Sequence, residues 1–104
     1  MNNDHVQEIM KVISHSGQAK SFIFESLALA RKGDFTGANA VLVKADEELV
    51  VSHQAQTNLL FYDAEHNDLV VTLLMVHAAD HMNSAETIRD LANELIEIIK
   101  EIKK

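Results

Sequence analysis

Residues 68–104, DLVVTLLMVHAADHMNSAETIRDLANELIEIIKEIKK, decide the fold. Within them Val70, Leu74, His77, His81, Ser84, Ile88, Leu91, Leu95, Ile98 and Ile102 step alternately by four and three, the spacing of one helical face. The pattern predicts a helix from near Asp68 almost to Lys104, well beyond the ordinary length of about 11–12 residues. A 3.5-residue period held for so long calls for a left-handed supercoil against partner helices, so a bundle extended by oligomerisation is expected.

Toward the N-terminus the same spacing returns twice. Ala38, Leu42, Ala45, Leu49, Ser52, Gln56 and Leu59 predict a second helix that starts after Asp34, a natural N-cap, and ends near Tyr62. The polar stretch from Asp63 to Asp68 reads as a loop, because such side chains bond their own backbone in competition with a helix. Val6, Met10, Ile13, Gly17, Phe24 and Leu27 mark a first helix over 4–32, with Lys20 as the one polar entry in its stripe. Asp4 and Glu8 at its start, Arg31 and Lys32 at its end and Gly33 beyond suit the helix dipole and supply a stop.

Composition agrees. A chain of 104 residues is one domain, 1–104, and 47% apolar with 24% charged residues is enough for a core. Zero Pro, three Gly and 5% aromatics disfavour strands and hairpins. The expected class is therefore all-α, an antiparallel three-helix bundle running up-down-up. A formal charge of −7 repels nucleic-acid phosphates. With no Cys there is no disulfide, thiolate metal site or cysteine nucleophile. The N-terminal MNNDHVQEIMK has neither a basic start nor an apolar run, which makes the cytoplasm the expected location.

The third stripe turns polar in its middle, at His77, His81 and Ser84, where burial costs free energy unless the groups are bonded. Asp80 falls within a turn of His77, so His77, Asp80 and His81 form one cluster. Two His at i, i+4 beside a carboxylate can ligate a metal. Neither the zinc-protease pattern nor a di-iron bundle fits, since Ala78 stands where the former needs Glu and the latter's Glu-x-x-His pairs are missing. A neutral imidazole held by a neighbour can instead act as a base or phosphoryl acceptor, and a third reading makes the cluster a polar register device in a helix interface. If third helices meet on a rotation axis, the Asp80 carboxylates converge and a shared cation such as Mg²⁺ relieves their repulsion. On the second helix His53, Gln56 and Thr57 form another polar cluster that can donate to the same site. His5, His15 and His66 read as solvated.

Four stretches, Ser16-Gly-Gln-Ala-Lys-Ser21, Gly33-Asp-Phe35, His53-Gln-Ala-Gln-Thr57 followed by Leu59-Leu60, and Leu73-Leu-Met-Val-His-Ala-Ala-Asp-His81, carry a family likeness over nearly the whole chain. The sequence resembles the lactose/cellobiose-type IIA component of the bacterial phosphoenolpyruvate-dependent sugar phosphotransferase system. That resemblance implies a homotrimer of three-helix subunits with a coiled-coil-like core. It implies a phosphocarrier in which His77 takes a phosphoryl group at Nε2 from phospho-HPr and passes it to a Cys of a IIB component, feeding uptake of a β-linked disaccharide through the IIC membrane permease. Asp80 then holds Mg²⁺ or another divalent cation on the trimer axis, no nucleotide is required, and His81, Gln56 and His53 support the site. The chain departs from the family pattern at Ala79, where Gln is usual, and at Met82 and Asn83, where Leu-Met is usual; the loop after the second helix also lacks the family's Gly. Two other functions compete: a non-catalytic metal-binding helical oligomer, and a histidine phosphotransfer domain of a two-component relay, whose His-x-x-Lys-Gly pattern is missing here.

Overall fold

The computed structural model describes residues 3–104, with side chains from His5 onward; the expected charge of Asp4 at the first helix start lies outside the described side chains. Three helices follow one another: α1 (Asn3–Arg31), α2 (Phe35–His66) and α3 (Leu73–Ile102). Gly33 at φ +88° makes the α1–α2 turn, a conformation that costs other residues a Cβ clash. Asp34 caps α2 as expected, its Oδ1 accepting from the Gly37 amide at 2.9 Å.

The second connection differs from the sequence expectation. The residues 63–66 are the last turn of α2, and Asn67 in the left-handed region (φ 51°) closes it by donating its N–H to the Asp63 carbonyl at 2.8 Å. Helix α3 begins at Leu73, where Thr72 Oγ1 accepts from the Met75 amide at 3.2 Å. The seam's first member, Val70, therefore lies in the linker 67–72. Local capping chemistry at Asn67 and Thr72 overrides the polar composition that suggested the loop.

Two apolar clusters give the direction of the helices. Ile9 and Val12 of α1 pack with Ala55 and Leu59 of α2 and with Ala78 and Met82 of α3. Near the other end Ile23 and Ala30 meet Ala38, Leu42 and Ala45, together with Ala92 and Ile96. Helices α1 and α3 thus run parallel and α2 runs back between them in sequence, the up-down-up order. Helix α1 lies along both partners, whereas α2 and α3 touch only sparingly. The result is a rod of 56 × 20 × 17 Å with a radius of gyration of 16.3 Å, against about 13 Å for a compact chain of this length.

In two helices the buried stripe lies one residue from the expected one. The buried positions of α1 are Ile9, Val12, Ser16, Ala19, Ile23, Ser26 and Ala30, the first six each one place before the series from Met10 to Leu27. In α3 they are Ala78, Met82, Ala85, Ala92 and Ile96, each one place after the seam. Small and hydroxyl residues occupy the true interface because they let helix axes approach. Ser16 Oγ lies 2.7 Å from Ser52 Oγ, Ser52 donates to the Val12 carbonyl at 3.2 Å and Ser26 donates to the Ala38 carbonyl at 2.8 Å. The large aliphatics of the seam stay outside: Leu91 is 54% exposed, Ile98 50% and Ile102 76%.

Candidate functional site

The site grows out of that one-residue offset. With Ala78 and Met82 turned into the core, His77 stands exposed and His81 half-buried on the adjoining flank of α3. One helical turn separates them, and their Nε2 atoms lie 3.0 Å apart with the rings edge to face. His77 and Asp80 open onto a hollow walled by Leu73, Leu74 and Val76.

His81 has a buried Nδ1 without a hydrogen-bond partner. A bare acceptor tolerates that position better than an orphaned N–H, so the ring proton belongs on Nε2. Burial lowers the His81 pKa below the ordinary histidine value, and the Lys20 charge lowers it further, against an opposing pull from Asp80. A neutral His81 that donates from Nε2 requires an acceptor at His77 Nε2. The exposed His77 is thereby held in the tautomer that carries its lone pair at Nε2.

The other predicted residues are distributed over neighbouring hollows. Gln56 lines a half-enclosed, largely apolar cavity of about 230 Å³ with Leu59, Met75, Val76 and Ala79, not the hollow of His77. The departure at Ala79 therefore faces open space beside Gln56. His53 lies on another flank, its Nδ1 3.4 Å from Glu86 Oε1. Beside it Arg89 donates to both carboxylate oxygens of Asp46, at 2.6 and 3.0 Å, tying α2 to α3. Neither Glu86 nor Arg89 stood out in the sequence, since a charged residue on a helix is ordinarily solvated.

The remaining histidines are engaged instead of merely solvated. His15 Nδ1 lies 2.5 Å from Glu48 Oε2, while His5 and His66 flank the Tyr62 ring with centroids at 4.3 and 4.1 Å. His66 belongs to α2, where its Nδ1 lies 3.0 Å from the Tyr62 carbonyl.

No three His, Asp or Glu side chains gather to hold a metal among the described residues. Asp80 is exposed and lies about five helical turns from Ile98, hence on the same face as that aliphatic. A single carboxylate there suits a hard divalent cation only where copies of the chain converge.

The three-helix rod and the histidine pair on the open flank of α3 are those of a helical phosphotransferase-system subunit. Residues 7–100 match the family "PTS system, Lactose/Cellobiose specific IIA subunit", and the chain belongs to that family as a phosphotransferase-system IIA component that carries phosphoryl groups between proteins. The lichenan-specific phosphotransferase enzyme IIA component of Bacillus subtilis (strain 168) is 40% identical over 102 residues, covering 98% of this chain and 93% of that protein. The N,N'-diacetylchitobiose-specific EIIA component of Escherichia coli (strain K12) is 37% identical over 91% of this chain and 82% of its own length. Among solved structures, the cellobiose-specific enzyme IIA of Bacillus anthracis superposes with a TM-score of 0.92 at 33% identity, covering 99% of this chain and 94% of that one. The IIA(chitobiose) chain solved in complex with HPr from Escherichia coli gives a TM-score of 0.84 at 34% identity, with coverage of 96% and 97%. No described helix is long and apolar enough to cross a membrane.

Proposed function

We propose that His77 Nε2 accepts the phosphoryl group of phospho-HPr and hands it to a cysteine of a IIB component, in the cytoplasm, during uptake of a β-linked disaccharide by a IIC permease. The 3.0 Å contact between the two Nε2 atoms carries this reading, because it leaves the lone pair of the exposed His77 on Nε2. In the transfer, that lone pair forms the new N–P bond as the N–P bond of the donor breaks, and the donor nitrogen keeps the electron pair. His77 retains its Nδ1 proton. The His81 N–H keeps its proton and turns its hydrogen bond from His77 Nε2 to an oxygen of the arriving phosphoryl, so it serves first the tautomer and then the charge. The named partner of the chitobiose relative supports HPr as the source. A chain of charge −7 is suited to rapid encounter with a basic docking face.

The working unit in this proposal is a homotrimer. The uncovered row Leu91, Leu95, Ile98 and Ile102 supports α3 as the helix that meets its copies, and Asp80 on that face would hold Mg²⁺ or a similar cation. Such an ion supplies charge neutralisation between converging carboxylates. His53 and Gln56, apart from His77 within one chain, then support the site from its margins.

Intact mass after incubation with phosphoenolpyruvate, enzyme I and HPr tests the carrier. One acid-labile phosphoryl group is expected, dependent on HPr and lost in His77→Ala while the helical content stays unchanged. Transfer that persists in His77→Ala moves the acceptor elsewhere. For the axis, Asp80→Leu is expected to leave a folded trimer whose melting no longer follows Mg²⁺. Dissociation to monomers, or undiminished Mg²⁺ dependence, sinks the axial cation.

A further inference from the structure

The cavity of about 230 Å³ that Gln56 lines is more enclosed than the hollow onto which His77 opens, and phosphoryl transfer at His77 makes no use of it. The last turns of α2 wall it with Leu59 and Leu60, the linker with Leu69 and Val71, and α3 with Met75 and Val76. Ala79, half-buried, offers only a methyl group to the α3 side, and a longer side chain at that position would occupy the space. Two polar groups interrupt the apolar wall, the Gln56 amide and the Asp63 carboxylate. Neither side chain forms a hydrogen bond or ion pair among the described residues.

Position decides what fills this cavity. Val76 lines both the cavity and the hollow of His77, so the two open side by side. A protein that brings a phosphoryl group to His77 must cover both, because a specific interface takes roughly 800 Å² from each partner, a disc of about 16 Å radius around the reacting atom. Val76, next to His77 in the chain, puts the cavity inside that disc. Size narrows the occupant further. A cavity of about 230 Å³ exceeds the roughly 150 Å³ that holds a benzene-sized group and falls short of the roughly 300–1,000 Å³ of small-molecule sites. One large aliphatic or aromatic side chain fits between those limits, and such a side chain seated in a pocket near the middle of a contact carries much of the binding energy between proteins. The unpaired Asp63 carboxylate favours a partner with a basic surface over a second copy of this chain of charge −7.

We propose that this cavity is the anchor pocket for one large apolar side chain of HPr, the protein that delivers the phosphoryl group, and that Ala79 sets the size of the side chain it accepts. The inference rests on the reading of His77 as acceptor. Seating the anchor orients the donor over His77, and no bond is made or broken in the pocket. Ala79 is thus a specificity determinant: it acts on the affinity for the donor and not on the transfer step.

The test compares wild type with Ala79→Leu, following KM and kcat of acceptance from phospho-HPr, the phosphorylated residue by peptide mass, the oligomeric state by sedimentation, and nuclear Overhauser effects from the Met75 methyl group, which lines the pocket, to unphosphorylated HPr. Ala79→Leu is expected to raise KM about tenfold with kcat within about twofold of wild type, because the anchor is shut out. Sedimentation should be unchanged and the melting temperature no lower. In wild type the Met75 methyl is expected to show Overhauser effects to an apolar side chain of HPr, and these should vanish in the variant. Unchanged KM in Ala79→Leu, or no effect between Met75 and HPr in wild type, overturns the inference while His77 stands as acceptor. A loss confined to kcat, altered sedimentation, or Met75 effects to a second copy of the chain also overturns it, by assigning the cavity to the transfer step or to contacts between copies. Should Ala79→Leu fail to fold, the wild-type Met75 measurement decides alone. A wild-type chain phosphorylated on a residue other than His77, or on none, overturns the parent reading and this one with it.

Discussion

At one end of the rod α1 passes into α2 through residues 32–34, with Gly33 making the turn and the core of Ile23, Ala30, Leu42 and Ile96 nearby. At the other end α2 reaches α3 through 67–72, and Leu60, Phe61, Val70, Val71, Leu73 and Val76 all stand exposed, Leu73 and Val76 beside His77. The first end holds the helices in register by itself. The second carries His77, the proposed acceptor, and leaves its apolar surface uncovered. The difference teaches that the subunit divides its labour along its length: the buried core lies where the chain turns tightly, and the proposed acceptor is exposed where it turns loosely.

The sharpest way to break that comparison is to truncate one large side chain at each end. Ile23→Ala at the tight end is expected to cost about 2–5 kcal/mol, read as a fall in melting temperature, because Ile23 is fully buried. Leu73→Ala at the loose end, where the residue is 85% exposed, should change subunit stability by less than about 0.5 kcal/mol and instead slow acceptance from phospho-HPr. Equal losses of stability would show that both ends are structural.

A smaller contrast comes from the two left-handed residues. Gly33→Ala is expected to cost about 1–2 kcal/mol, since φ +88° is unfavourable for any side chain. Asn67→Gly, at φ 51°, should be within about 0.5 kcal/mol of neutral, because glycine accepts the same cap. Denaturant midpoints decide this, and a Gly33→Ala chain as stable as wild type would contradict a tight end.

The smallest effect is a titration at the loose end. The Tyr62 hydroxyl has its pKa raised above 10.0 by partial burial first and by the neighbouring Asp68 carboxylate second. A group whose pKa rises on folding contributes stability in full below its unfolded value and loses it as pH climbs through the folded one. Tyrosinate absorbance from the single Tyr should therefore appear above pH 10, and Asp68→Asn should move it down toward 10.0. An unmoved titration in that variant would separate Tyr62 from the linker.

Much of this was legible in the sequence. The helix count, the Gly33 stop and the Asp34 cap follow from residues whose local chemistry acts alone. The His77, Asp80 and His81 cluster follows from spacing, and His77 and His81 do meet. The interface register was not legible in α1 and α3, because an apolar template rewards Met10, Phe24 and Leu91 and overlooks Ser16, Ala19 and Ala85, which close helix packing prefers. The end of α2 was misplaced because Asp63 to His66 resemble a loop until the Asn67 cap and the His66–Tyr62 stack are taken into account. The separation of Gln56 and His53 from His77 is a property of three-dimensional packing that spacing along one helix does not contain.

Helix α1 alone embraces both of its neighbours, while α2 and α3 scarcely meet. Under random mutagenesis this makes tolerance lopsided: a change at Ile9 or Ile23 is felt by two helices at once, whereas α2 and α3 are joined chiefly by the surface pairs Arg89–Asp46 and His53–Glu86. Diversification toward new protein partners is then cheapest along the α2–α3 flank, and the spine formed by α1 is the segment on which variation is least affordable.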